Sequence, residues 1–175
     1  MPEHIEEYLI ALEEREITPR RTLNSLTIRE PIRLLNPRSP VCVPPAATLR
    51  EAIGMMREHH IGCVLVVDGD RLLGILTERD LLLKVEIADL ARPIAEFMTP
   101  GPETLQLDDP IVWALNRMSV GGYRHVPLVD RDGKPVGIVS VKDIVHYIVA
   151  FFPNEVLTLP PDPERADVWS ERDGA

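Results

Sequence analysis

Hydrophobic positions in this chain switch from helical spacing to continuous runs and back, and they do so twice. Leu49, Ile53 and Met56 recur at helical spacing, and Ile111, Leu115 and Met118 repeat the arrangement further on. Two continuous apolar runs follow each stretch, "CVLVVD" with "LLGIL" and then "HVPLVD" with "PVGIV", separated by short turns rich in Asp and Gly. Such runs predict paired strands, and because they are apolar on both faces they predict sheets covered on both sides. A second helix is predicted to start near Thr77 and near Ser140, and a short extended piece, "PVCV" or "PETLQL", precedes each first helix. Thr48 and Asp109 are the predicted N-caps of the first helices, with Pro110 suited to a first helical turn. The predicted order is β-α-β-β-α, twice.

The two halves are copies. At an offset of 62, Pro31-Ile32 meets Pro93-Ile94, Ala52 meets Ala114, Met56 meets Met118 and Val67-Asp68 meets Val129-Asp130. One residue then enters the second copy at the turn "DRDGKPVG", where a repeat tolerates insertion. From there Gly74, Ile75, Thr77 and Asp80 meet Gly137, Ile138, Ser140 and Asp143. A single unit cannot hide its apolar surface, so a mixed α/β (α+β) fold of two packed repeats is predicted. The boundaries are 1–30 for an N-terminal helical segment, 31–92 and 93–152 for the repeats, and 153–175 for an extended tail. Ile5, Tyr8, Leu9 and Leu12 form one stripe of the N-terminal helix, and Pro153, Pro160, Pro161 and Pro163 keep the tail from being helical.

Composition narrows the function. Of 175 residues, 45% are apolar, enough for a packed core, and the formal net charge of −9 argues against nucleic acid as a partner. No run is long enough to span a bilayer, and the acidic start lacks the pattern of a signal peptide, so a cytoplasmic protein without a membrane partner is expected. Cys42 and Cys63 fall in predicted strands and read as small buried side chains rather than metal ligands. No nucleophile has a matching base and orienter, so no enzyme and no required metal are expected.

Two stretches carry the candidate chemistry, "GILTERD" at 74–80 and "GIVSVKD" at 137–143. Each puts a hydroxyl where a strand gives way to a helix and an aspartate three residues later on the same helical face. The first turn of a helix presents free N–H groups and favours anions, so Thr77 or Ser140 can donate to a phosphate. Asp80 or Asp143 can accept from both hydroxyls of a ribose cis-diol, with Arg79 or Lys142 beside it as a cation. On the residues alone the simpler reading stands beside this one, in which the hydroxyl is an N-cap and the acid complements the helix dipole.

The repeated unit ending in Gly-apolar-apolar-Ser/Thr-x-x-Asp resembles the cystathionine-β-synthase (CBS) domain, and two in tandem resemble the CBS pair, or Bateman module, over roughly residues 31 to 150. The resemblance implies a pseudo-two-fold pair of the free-standing kind, with two clefts for adenosine nucleotides and a regulatory, energy-sensing role. It implies a ligand such as AMP, ADP, ATP, NAD or S-adenosylmethionine, whose adenine edge would be read by backbone near Val41 and Thr104. A structural interaction protein with empty clefts is the alternative. The copies differ: Arg124 and His125 stand in the second where Gly62 and Cys63 stand in the first, and acidic Glu78 neighbours Arg79 where neutral Val141 neighbours Lys142. The Ser140 cleft is therefore expected to attract phosphate more strongly than the Thr77 cleft. Surplus apolar helix residues in "DLLLKVEI" and "IVHYIVAFF" predict a homodimer, with a further, unidentified protein as the regulated partner.

Overall fold

The computed structural model describes residues 27–152; the predicted N-terminal helix and the extended tail lie outside the described residues. Ser25–Val145 form one compact unit, while His146–Phe152 belong to the other, where Tyr147 and Phe151 meet edge to face at 5.3 Å.

Helix α1 (Leu49–Glu58) begins as its sequence dictates. The Thr48 side chain accepts from the Glu51 N–H, and the Glu51 carboxylate accepts from the Thr48 N–H at 2.7 Å, a complete capping box. Its inward stripe is Leu49, Ala52 and Met56. Helix α2 (Glu78–Lys84) is capped by Thr77 and Asp80 in the same way. Helix α3 (Ile111–Gly121) departs from expectation, because Pro110 and not Asp109 occupies its N-cap position. The Asp109 carboxylate turns back to accept from the Gln106 N–H at 2.7 Å, serving the preceding turn instead. Helix α4 (Val141–Val149) follows Ser140.

Strands β1 (Cys42–Val43), β2 (Cys63–Asp68), β3 (Arg71–Thr77) and β4 (Thr99–Pro100) form one sheet in that order, with β1 parallel to β2 and the other neighbours antiparallel. Strands β5 (His125–Val129) and β6 (Pro135–Ser140) form an antiparallel pair. The expected strand in "PETLQL" reduces to one parallel bridge, Leu105 to Leu128, which matches Val43 beside Val66 in the first copy. Strand β4 was not foreseen. It can lie against β3 because Gly74 has no side chain; a Cβ there would sit 2.8 Å from the Thr99 carbonyl oxygen and 2.5 Å from the Met98 sulfur.

The segments that lead into the two repeats are exchanged. Ahead of the first repeat, Ile32 donates to the Asp109 carbonyl and Arg33 to the Leu107 carbonyl, each at 2.9 Å, and Arg38 bridges to Ile138. Ahead of the second, Ile94 donates to the Ala47 carbonyl at 2.8 Å, Ala95 to the Pro45 carbonyl at 3.3 Å, and β4 joins β3. These bonds are the same set displaced by one repeat. Ile94 and Phe97 accordingly finish the core of Val43, Leu49, Ala52, Met56, Val64, Val66 and Leu76. Ile94 is fully buried, which contributes roughly 1.5–3 kcal/mol for such a side chain. Where the two sheets meet, Ile138 of the second repeat packs on Cys63, Leu65 and Ile75 of the first. The two-repeat α+β architecture expected from the sequence is thus present.

Candidate functional site

At the end of β6 the backbone turns into α4, and Ser140 and Asp143 close a local ring. The Ser140 N–H and hydroxyl both donate to Asp143 Oδ2 at 2.7 Å, and the Asp143 N–H donates back to Ser140 Oγ at 3.3 Å. Asp143 Oδ1 has no hydrogen-bond partner among the described residues. This ring stands on the wall of a cleft of about 1290 Å³ that also holds Val41, Arg124, His125 and Lys142. Six of the ten residues expected at a ligand site are therefore gathered in one space. Arg38, Arg57, Arg124 and Lys142 give the cleft four cations, set against Glu58, Glu78 and Asp143.

The corresponding ring at the end of β3 is more heavily engaged. Asp80 Oδ2 accepts from the Thr77 N–H at 2.9 Å and the Thr77 hydroxyl at 2.6 Å. Its Oδ1 accepts from Lys84 Nζ at 2.6 Å and the Thr99 hydroxyl at 3.2 Å. Asp80 is 8% exposed. Burial pushes its carboxyl upward, but hydrogen bonds from Lys84 and Thr77 and the Lys84 charge outweigh it and hold the group below the usual carboxylate range. Thr77, Arg79 and Asp80 border a smaller cleft of about 320 Å³, where the Arg79 guanidinium donates to the Gly122 carbonyl at 3.2 Å.

Four placements differ from the sequence expectation. Arg124 and His125, assigned to the Ser140 cleft, border both spaces. Glu78, expected to weaken the Thr77 cleft, faces the larger cleft instead. Cys42 is exposed, whereas Cys63 is buried and its thiol is pushed up to about 12, by burial first and the Glu78 charge second. Thr104 is exposed and borders neither cleft, while its neighbour Glu103 lines the smaller one and pairs with Arg117.

Sequence reasoning missed Arg38, Arg57 and His60 on the larger cleft and Lys84 and Thr99 around Asp80. His60 adopts a left-handed backbone, φ 51°, at the place where the second copy has Gly122 at φ 69°. A non-glycine residue there costs of order 1 kcal/mol. Among the described residues no group of His, Cys, Asp and Glu is arranged to hold a metal, and no helix is long and apolar enough to cross a membrane.

Comparison with known proteins finds the CBS-domain family model matching residues 33–86 and 94–150. A 17.7 kDa protein of Acidianus ambivalens is 34% identical over 61% of this chain and 66% of its own length. The chain spans a quarter or less of the Arabidopsis thaliana CBS-domain-containing proteins it matches. Among solved structures, a CBS-domain protein of Pyrobaculum aerophilum complexed with AMP superposes with a TM-score of 0.60 at 29% identity, covering 65% of this chain and 88% of that one. The CBS domain pair of protein MJ0100, in complex with 5′-methylthioadenosine and S-adenosyl-L-methionine, gives 0.62 at 27% identity, covering 67% and 94%.

Proposed function

The chain belongs to the CBS-domain family, and from that premise we propose that it is a regulatory, non-enzymatic module that binds an adenosine-containing ligand at the Ser140–Asp143 cleft. Ligand binding changes the conformation or assembly of the repeat pair, and through it the activity of a partner protein. The observation that carries this reading is the state of Asp143. One oxygen is oriented by Ser140 and the other is unpartnered, on the wall of a space larger than the roughly 300–1,000 Å³ of ordinary small-molecule sites. An oriented carboxylate with a spare oxygen suits a ribose cis-diol, and Arg124, Lys142 and Arg38 offer charge to a phosphate. The ligands in the two solved complexes, AMP and the methylthioadenosine and S-adenosylmethionine pair, all carry adenosine. The module acts as a homodimer in the cytoplasm.

Equilibrium titration with AMP, ADP, ATP, NAD and S-adenosylmethionine tests the reading. At least one should bind, and Asp143→Ala should weaken it about ten- to a hundredfold, since hydrogen bonds to a charged group are worth about 1.5–3 kcal/mol. Unchanged affinity in the variant, or no binding by any member of the panel, removes the reading.

A further inference from the structure

We infer that this chain has one adenosine site rather than two, and that Lys84 is the residue that keeps the second one closed. The inference rests on the role proposed above for Asp143 as the ribose acceptor. The two motifs look equivalent in sequence, and their hydroxyl-to-carboxylate rings have the same geometry. They differ at the other carboxylate oxygen. Asp143 Oδ1 has no partner among the described residues, whereas Asp80 Oδ1 already receives an ammonium and a hydroxyl.

The Lys84 ammonium is itself fully committed. It reaches Asp80 Oδ1 at 2.6 Å, the Phe97 carbonyl at 3.2 Å and the Thr99 hydroxyl at 3.5 Å, so all three of its donors are used. Two of those acceptors come from the exchanged segment that carries β4. Lys84 therefore ties α2, the carboxylate and the borrowed strand together. A ribose diol entering there must displace a charge-assisted bond to a largely buried carboxylate, and it replaces that bond with a neutral one. At the Ser140 cleft it displaces nothing from the protein.

The sequence explains why only one copy is closed. The residues that align with Lys84 and Thr99 are Tyr147 and Pro37. Tyrosine supplies no cation, and proline supplies neither a side-chain donor nor an N–H. Cleft size agrees: about 320 Å³ at the Thr77 motif is at the bottom of the range for small-molecule sites, and about 1290 Å³ at the Ser140 motif is above it.

The test is the stoichiometry of AMP and, separately, of S-adenosylmethionine, measured by calorimetry and by native mass spectrometry on the full chain. The wild type should bind one molecule per chain. Lys84→Met, which keeps the length of the stem and removes the amine, should bind two, and the milder Lys84→Gln guards against a folding failure of the first variant. Asp143→Ala should bind its one molecule about ten- to a hundredfold more weakly than the wild type, and the Lys84→Met, Asp143→Ala double variant should keep undiminished only the site that Lys84→Met adds. Two molecules on the wild type overturn the single-site inference while leaving the ribose role of Asp143 standing. One molecule on folded Lys84→Met and Lys84→Gln chains overturns the role of Lys84. Absence of binding by the wild type and both lysine variants overturns the adenosine reading itself.

Discussion

His125 lies half-buried on the cleft wall, and folding changes how readily it takes up a proton. Burial first and the Arg124 charge second push its pKa below the usual value, and Glu78 and Asp143 only partly oppose them. The unfolded chain therefore takes up a proton before the folded one does. Stability contributed by neutral His125 is complete above about pH 6.5 and is lost on acidification from there down to the depressed folded-state value. Urea unfolding at pH 7.5 and pH 5.5 should show a drop for the wild type that shrinks in His125→Asn; equal drops would mean that His125 does not titrate as argued. At this scale the sequence was a partial guide. The hydroxyl and the acid three residues apart gave both motif rings, because a helix start fixes that geometry locally. The difference between Asp80 and Asp143 was harder to see. Lys84 was missed, although its i, i+4 spacing from Asp80 is a signal that could have found it, whereas Thr99 arrives from another segment through tertiary packing alone. The direction of Glu78 was likewise a matter of where α2 sits and not of its neighbour in sequence.

Helices were the legible elements, since periodic apolar residues and Thr48 with Glu51 fix α1 without reference to anything distant. The α3 start was misplaced by one residue because Asp109 has a competing local bond to Gln106. Edge strand β4 was the illegible one, whereas edge strand β1 lies in the expected "PVCV". Thr99–Pro100 is two residues long and exists only because β3 offers a flat, side-chain-free place at Gly74. The repeated glycine thus has a different weight in each copy. A Cβ at Gly74 meets backbone at 2.8 Å, whereas one at Gly137 meets first a terminal methyl of the Leu128 side chain, at 3.2 Å. Gly74→Ala should therefore cost about 1–3 kcal/mol, as an overpacked site does, and Gly137→Ala clearly less. Thermal or urea unfolding of the two variants checks the ranking, and a smaller loss for Gly74→Ala would mean that β4 does not constrain β3.

For the molecule as a whole, the repeat offset made the pair legible from sequence, while the exchange of leading segments was not, because nothing local tells a segment which copy it will join. The surface left over bears on the proposed homodimer. Leu82, Leu83 and Ile87, at and just beyond the end of α2, are 85%, 77% and 91% exposed, and Trp113 and Val120 stand out from α3. Apolar residues clustered on helices in this way are costly in water and suit a second copy. Light scattering at micromolar concentration should give about twice the 19.7 kDa of one chain, and Leu82→Lys with Ile87→Lys should halve it; a monomeric wild type would rule the dimer out. The exchanged segments also set the order of events as the chain is made. When residues up to 85 have left the ribosome, the first repeat still lacks Ile94, Phe97 and β4, and residues 30–38 have nothing to pair with until the second repeat is synthesised. The first core can therefore close once residues 94–100 are available, whereas residues 30–38 are tied down only when the second repeat follows, so the leading segment is the last part of the first copy to find its place.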